Sequence, residues 1–192
     1  MDDSMEEVIL NTVNKMMEHK PNRKREKIEE IVRNYFEKGI PFYKSMGLGD
    51  DFMMFVYATG YQSFQAGKYN EACAAFEMLH AYDPDEPKYI LGKALCFKEM
   101  KKYPNAVNEF MYCASKAVDD PTLYWHMFEC FEAMDESYGA ASALGAVLYI
   151  CQKTKSHDDL RLRAELALIQ VVNSQESIEE VKLTQKKVKS KT

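Results

Sequence analysis

The sequence predicts an all-α protein made of repeated helical hairpins, because small and bulky residues recur at a fixed interval. Ala72, Ala106 and Ala140 lie 34 residues apart. Each is followed four residues later by a large apolar side chain, namely Phe76, Phe110 and Leu144. A small residue one turn before a bulky one lets two helix axes approach closely. The tetratricopeptide unit, a helix–turn–helix, is also about 34 residues long.

Composition and charge favour a globular protein of the cytoplasm. Hydrophobic residues make up 46% of the 192-residue chain and charged residues 29%, with a formal net charge of −5. The acidic charge disfavours a nucleic-acid partner, the acidic start lacks the pattern of a secretory signal, and no apolar run is long enough to span a bilayer. The five cysteines are scattered, so we expect them to be reduced and buried, with neither disulfide nor metal. They are Cys73, Cys96, Cys113, Cys130 and Cys151.

Residues 1–50 are predicted to form an N-terminal helical region. Apolar residues recur at helical spacing from Met5 to Met17, with Ser4 as the N-cap. A basic stretch separates this helix from a second amphipathic helix, which ends at Gly39 because Pro41 prevents its continuation. Residues 45–51 are predicted to be a loop.

Residues 51–152 are predicted to hold three tetratricopeptide repeats in a right-handed solenoid, at about 53–86, 87–120 and 121–154. Pro87 and Pro121 suit the first turn of a helix and open the second and third repeats. Because a terminal repeat must cover its apolar flank, residues 155–175 are predicted to form a capping helix. A short helix and a flexible basic tail are expected over residues 176–192.

Positions 2, 5, 9 and 12 of each first helix are expected to line a concave face that holds another protein. In the first repeat they are Met54, Tyr57, Tyr61 and Phe64; in the second Lys88, Leu91, Leu95 and Lys98; in the third Thr122, Trp125, Glu129 and Glu132. The aromatic and leucine side chains predict a groove for apolar anchors, each contributing about 1.5–3 kcal/mol when fully buried. The alternative interpretation is that the aromatic stripe packs against the chain's own N-terminal helix.

Other kinds of site are disfavoured. Repeats that grip an acidic C-terminus use lysine, asparagine and arginine at five positions, which here are Tyr57, Tyr61, Gly92, Thr122 and His126. The four histidines have no paired-ligand spacing, and His126 with Glu129 has no third ligand or nucleophile in register. We therefore expect no catalytic site, no metal site and no cofactor, and a packing or hydrogen-bonding role for His126.

Three stretches of the sequence resemble one family. They are residues 64–72 (FQAGKYNEA), Leu91-Gly92 with Cys96 and Met100, and His126 with Glu129-Cys130. Together they resemble the class II type III secretion chaperones, the SycD/LcrH-like chaperones of bacterial injection systems. The similarity covers about residues 39–151, and the N-terminal helices and the basic tail are not matched closely.

The resemblance implies a cytoplasmic, ATP-independent chaperone for the hydrophobic translocator proteins that build a pore in the host membrane. A translocator segment of Pro-x-Leu-x-x-x-Pro type would lie in the concave groove. The matching pocket residues are Tyr57, Tyr61, Phe64, Tyr69, Leu91 and Leu95. Tyr112 matches a family aromatic but fits a core role equally well, and Trp125 takes the groove position of the third repeat without being typical of the family.

Two further questions stay open at this point. Relatives often dimerise through N-terminal helices, for which Met5, Val8, Ile9, Met16 and Met17 offer a surface, although the same residues could fold back on their own chain. The alternative function is a tetratricopeptide adaptor that assembles a stable complex. Neither function calls for nucleic acid or for direct insertion into a membrane.

Overall fold

The computed structural model describes residues 3–19, 24–116 and 119–189, with side chains over 4–18, 24–116 and 119–173. All regular structure in these residues is helical, which confirms the all-α class. The helices are α1 (Asp3–His19), α2 (Arg25–Lys38), α3 (Phe42–Ser45), α4 (Asp50–Gln65), α5 (Tyr69–Tyr82), α6 (Pro87–Glu99), α7 (Tyr103–Lys116), α8 (Pro121–Ala133), α9 (Ser137–Thr154) and α10 (Asp158–Lys189). The chain divides into two compact units, residues 1–89 and 90–192.

In the first unit, α1 and α2 form an antiparallel helical hairpin with its own small core. Ile9 and Val13 on α1 are fully buried against Ile28 and Val32 on α2. Arg33 ties the pair together, because its guanidinium lies 2.6 Å from Glu6 of α1 and also contacts two glutamates of its own helix. The predicted N-terminal helices are therefore present and pack on each other.

A turn and a short helix connect this hairpin to the first repeat. Gly39 ends α2 with a φ of +64°, a left-handed conformation that glycine adopts without steric cost. The sequence did not predict α3, since four residues carry no periodicity. Its Tyr43 is buried, and its hydroxyl donates a 2.6 Å hydrogen bond to Asp50 at the start of α4.

The first repeat consists of α4 and α5, and a close approach of the two helices holds it together. Gly60 on α4 is buried, and a Cβ atom there would lie 3.0 Å from the Cβ of Ala75 on α5. Ala72 is fully buried, and Phe76 is 3% exposed. The small residues let the axes come together, as the spacing predicted.

The second unit contains most of α6 together with α7–α10 around one continuous core. The repeated alanines Ala106 and Ala140 lie in this core with Phe110 and Leu144, none more than 1% exposed. Cys96, Cys113, Cys130 and Cys151 are buried here and Cys73 is buried in the first unit, as expected for small apolar residues.

The turn inside each repeat has the same backbone conformation. Gly67, Lys101 and Asp135 follow one another at 34 residues, with φ values of +73°, +58° and +57°. Only the first of them is a glycine, so the other two accept a conformation that costs an L-residue about 1–2 kcal/mol. The repeat register is therefore visible in the backbone as well as in the core.

The C-terminal region differs from the prediction. We expected a capping helix that ends near residue 175, followed by a short helix and a flexible tail. Instead α10 runs without a break from Asp158 to Lys189, and residues 190–192 of the predicted tail lie outside the described residues. No glycine or proline occurs after Gly145, so neither of the residues that most often end a helix separates the capping helix from the short helix that we expected after it. The N-terminal half of α10 covers α9 with Leu160, Ala164 and Leu168, as a cap should.

Candidate functional site

The predicted groove residues of the first repeat form a surface of aromatic side chains on α4 and the start of α5. Tyr57 is half-buried between two rings, 5.9 Å from the centroid of Phe76 and 6.1 Å from that of Tyr89. Phe64 meets Tyr69 edge to face with centroids 5.4 Å apart. We call Tyr57, Tyr61, Phe64 and Tyr69 the first-unit aromatic surface.

This surface remains open to solvent along part of α4. Tyr61 is 52% exposed and Met54 is 67% exposed. In the described residues the buried face of α1, Ile9 and Val13, packs on α2. The alternative in which the N-terminal helix fills the aromatic stripe therefore finds no support in the contacts of the first unit.

A hollow of about 520 Å³ adjoins the aromatic surface within the first unit. Its lining combines rings and charges from α3, α4 and the segment that follows α5: Tyr43, Asp50, Met53, Met54, Tyr57, Asp83, Glu86, Lys88 and Tyr89. The ammonium group of Lys88 lies 5.1 Å from the ring of Tyr89, 5.8 Å from that of Tyr57 and 3.2 Å from Glu86. The hollow thus offers apolar ring faces beside a compensated cation.

Several ionisable groups that line the hollow have shifted pKa values. The hydrogen bond to Asp50 raises the pKa of Tyr43 to about 12, so the phenol stays protonated and acts as a donor at neutral pH. Burial and the neighbouring Glu86 and Asp85 raise the pKa of Asp83 above its ordinary value. The raised pKa of Asp83 makes its carboxylate easier to protonate than that of a free aspartate, whereas the hydrogen bond from Tyr43 lowers the pKa of Asp50.

The predicted groove residues of the second unit take different positions. Leu91 and Leu95 on α6 are half-buried and pack against the core, so only part of each side chain is available to a ligand. Tyr112 lies on α7, the second helix of its repeat, and is 44% exposed. The core role considered for Tyr112 is therefore wrong. Tyr112 also lies on α7, whereas Leu91 and Leu95 lie on α6, the first helix of the repeat.

The third repeat carries a hydrogen-bonded network centred on Glu129. One carboxylate oxygen accepts from the indole N–H of Trp125 at 2.9 Å, and the other accepts from Lys98 of α6 at 2.6 Å. Nδ1 of His126 lies 3.0 Å from that second oxygen. Partial burial acts to raise the pKa of Glu129, but the hydrogen bonds from His126 and Lys98 outweigh it and lower the pKa to about 2. The carboxylate is therefore ionised at any physiological pH.

A residue outside the repeats completes this part of the surface. The guanidinium of Arg163, on α10, lies 4.4 Å from the centroid of the Trp125 ring. No pattern in the sequence predicts this contact, because α10 does not share the 34-residue register. The sequence did place Lys98, Trp125 and Glu129 on one predicted face, but not their bonds to each other.

The predicted dimerisation residues separate into two groups on α1. Ile9 is fully buried and Met17 is half-buried against α2, so both fold back on their own chain. Met5, Val8 and Met16 are 38%, 45% and 37% exposed. The available part of this predicted surface is therefore Met5, Val8 and Met16.

No group of three histidine, cysteine, aspartate or glutamate side chains in the described part of the chain could hold a metal ion. No helix in that part has the length and apolar character needed to cross a bilayer.

Known proteins are similar to this chain in both sequence and fold. No family model matches it. Low calcium response locus protein H of Yersinia pestis is 27% identical over 97 residues, which are 50% of this chain and 58% of that protein. The chain thus spans little more than half the length of the curated relatives it matches.

Solved structures extend the match over more of the fold. PcrH of Pseudomonas aeruginosa, in complex with the chaperone-binding region of PopD, is 27% identical and has a TM-score of 0.62, covering 67% of this chain and 97% of PcrH. PcrH with the corresponding region of PopB is 28% identical, with a TM-score of 0.58 and coverages of 64% and 98%. The resemblance seen in the sequence is confirmed by these matches: the chain is a homologue of the class II type III secretion translocator chaperones.

Proposed function

We propose that this chain is a chaperone of a bacterial type III secretion system that binds an extended segment of hydrophobic translocator proteins. The observation that carries the proposal is the first-unit aromatic surface, in which Tyr57 packs on Phe76 and Tyr89 and Phe64 packs on Tyr69, while all four rings remain partly exposed. The complexes of PcrH with regions of PopD and PopB support it, because they come from homologues of the same fold.

The proposed client-binding residues follow from position and chemistry. Tyr57, Tyr61, Phe64 and Tyr69 would hold apolar anchors of a Pro-x-Leu-x-x-x-Pro-like segment, and the hydroxyls of the three tyrosines could bond its backbone. Leu91, Leu95 and Trp125 would contribute from the second unit, and Tyr112 from α7. Because the rings are already ordered, binding needs little rearrangement of the chaperone.

The proposed activity is stoichiometric binding rather than catalysis. A translocator must cross the cytoplasm while its membrane-seeking segments are exposed, and such segments aggregate. Occupying an anchor segment lowers the concentration of free, aggregating chain by mass action. The proposal therefore requires neither nucleotide nor cofactor, places the chain in the bacterial cytoplasm and assigns it no enzymatic role. We further propose that Met5, Val8 and Met16 contribute to a homodimer.

Co-expression tests the function directly. The chain is produced together with an apolar translocator encoded in the same genome, and the soluble fraction of the translocator is compared with that obtained without the chain. A chaperone increases the soluble fraction, and the complex releases its client on dilution without nucleotide. An adaptor that assembles a stable complex leaves the translocator insoluble, and that result would refute the proposal.

A further inference from the structure

Arg163 is an exposed arginine whose side chain is already oriented. Its guanidinium carbon lies over the half-buried ring of Trp125, 4.4 Å from the ring centroid, in the position of a cation–π contact. No carboxylate of the described residues lies within ion-pair distance of Arg163. Its charge is therefore uncompensated in this part of the chain.

Three carboxylates on α8 and α10 are already paired with other groups. Both oxygens of Glu129 are occupied by Trp125, Lys98 and His126. On α10, Asp158 and Glu165 both pair with Arg161, at 3.6 and 2.9 Å. Glu132, one turn beyond Glu129 on α8, forms no ion pair with Arg163.

An arginine in this state is suited to binding a carboxylate. A planar guanidinium recognises a carboxylate through two parallel N–H···O bonds, which are stronger than neutral hydrogen bonds. The stacking on Trp125 reduces the rotamer freedom that binding would otherwise remove. Arg163 differs from the five positions of a carboxylate clamp, since it lies on the capping helix, and the absence of those clamp residues does not bear on it.

We propose that Arg163, held against Trp125, binds the side-chain carboxylate of an aspartate or glutamate in the client segment. This inference rests on the proposed function, and it adds that the preferred segment carries an acidic residue beside its apolar anchors. Glu129 acts as a positioning residue here, because it fixes the indole on which the guanidinium stacks.

Matched peptides test the inference. The probes are short, fluorescently labelled peptides with a Pro-x-Leu-x-x-x-Pro core, amidated at the C-terminus so that no terminal carboxylate is present. One glutamate is placed at each flanking position in turn, and each peptide has a glutamine partner. Fluorescence anisotropy gives the affinities, and the emission of Trp125, the single tryptophan of the chain, reports on the site itself.

The wild-type chain should bind at least one glutamate peptide about threefold to tenfold more tightly than its glutamine partner at low salt. Arg163→Gln should reduce that ratio to about one, and raising the salt concentration should weaken the preference in the wild type. Arg161→Gln is the matched control, because it removes a neighbouring arginine that is already paired. Thermal unfolding of both variants checks that the fold is unchanged.

The possible failures are distinguishable. If no peptide binds to the wild-type chain, the proposed function fails, and this inference fails with it. If peptides bind but glutamate and glutamine versions have equal affinity, only the role of Arg163 is overturned. The same conclusion follows if Arg161→Gln abolishes the preference as fully as Arg163→Gln.

Discussion

Two glycines of α9 should respond in opposite ways to replacement by alanine. A Cβ atom at Gly139 would lie 2.5 Å from Cδ1 of Phe131 and 2.8 Å from Cγ of the same ring, whereas a Cβ atom at Gly145 would meet nothing within 4 Å. Both positions are helical, so both variants gain about 0.5–1 kcal/mol from the helix propensity of alanine. Gly139→Ala also incurs an overpacking cost of about 1–3 kcal/mol.

The expected result is that Gly145→Ala raises the free energy of unfolding, while Gly139→Ala lowers it or leaves it nearly unchanged. The difference between the two variants isolates the contact with Phe131, because the propensity contribution largely cancels. At about 2–4 °C per kcal/mol for a chain of this size, the two melting temperatures should differ by roughly 2–12 °C in thermal denaturation followed by circular dichroism.

A double-mutant cycle identifies the cause. Phe131 and Gly139 both line an apolar hollow of about 540 Å³ between α7, α8 and α9, into which a displaced ring could move. If the clash is with the ring, Gly139→Ala should be neutral or stabilising in a Phe131→Leu background. Equal melting temperatures for Gly139→Ala and Gly145→Ala in the wild-type background would show that the helices do not approach as described.

Three other outcomes are expected. Ala106→Glu should unfold the second unit, because Ala106 is fully buried. Keeping the new carboxyl neutral at pH 7 costs about 3.7 kcal/mol and overpacking costs about 1–3 kcal/mol more, against a total stability of about 5–15 kcal/mol. The control Asn108→Glu, at an exposed position of the same helix, should melt like the wild type. Tyr57→Ala combined with Phe64→Ala should weaken client binding at least about tenfold in a fluorescence titration with little loss of helicity, and Phe55→Ala, 70% exposed on α4, should not. Because the pKa of Glu129 is lowered to about 2 from 4.5, its contribution to stability is present above pH 4.5 and is lost as the pH falls towards 2. The difference in unfolding free energy between wild type and Glu129→Gln should therefore shrink over that interval, and a constant difference would argue against the network.

The repeats could be predicted because their determinants are local and periodic. Ala72, Ala106 and Ala140 mark the places where two helices touch, and all three are buried. Proline at the first turn marks a helix start, and Asp120 before Pro121 accepts a 2.9 Å hydrogen bond from the backbone of Thr122, as an N-cap does. These signals depend only on residues that are close together in the sequence, so they can be recognised without knowing the fold.

The remaining features depend on which surface another helix covers. The periodicity of α1 predicted a helix, but not that α2 would cover Ile9 and Met17 and leave Val8 exposed. In the same way, no pattern relates Arg163 to Trp125, which are 38 positions apart on helices of different kinds. Contacts of this type are set by the packing of whole elements, so they appear only in the structure.

The three repeats keep one set of positions for folding and vary another set. Residues 60, 94 and 128 are buried in all three, although they are glycine, alanine and phenylalanine, and the left-handed turns at residues 67, 101 and 135 persist even without glycine. The positions predicted to line the groove instead change from aromatic in the first repeat, through leucine and lysine in the second, to tryptophan and glutamate in the third. Because the buried positions stay buried while the groove positions change in chemistry, the proposed function attributes that change to the client segment, with apolar anchors at the first repeat and a polar contact at the third.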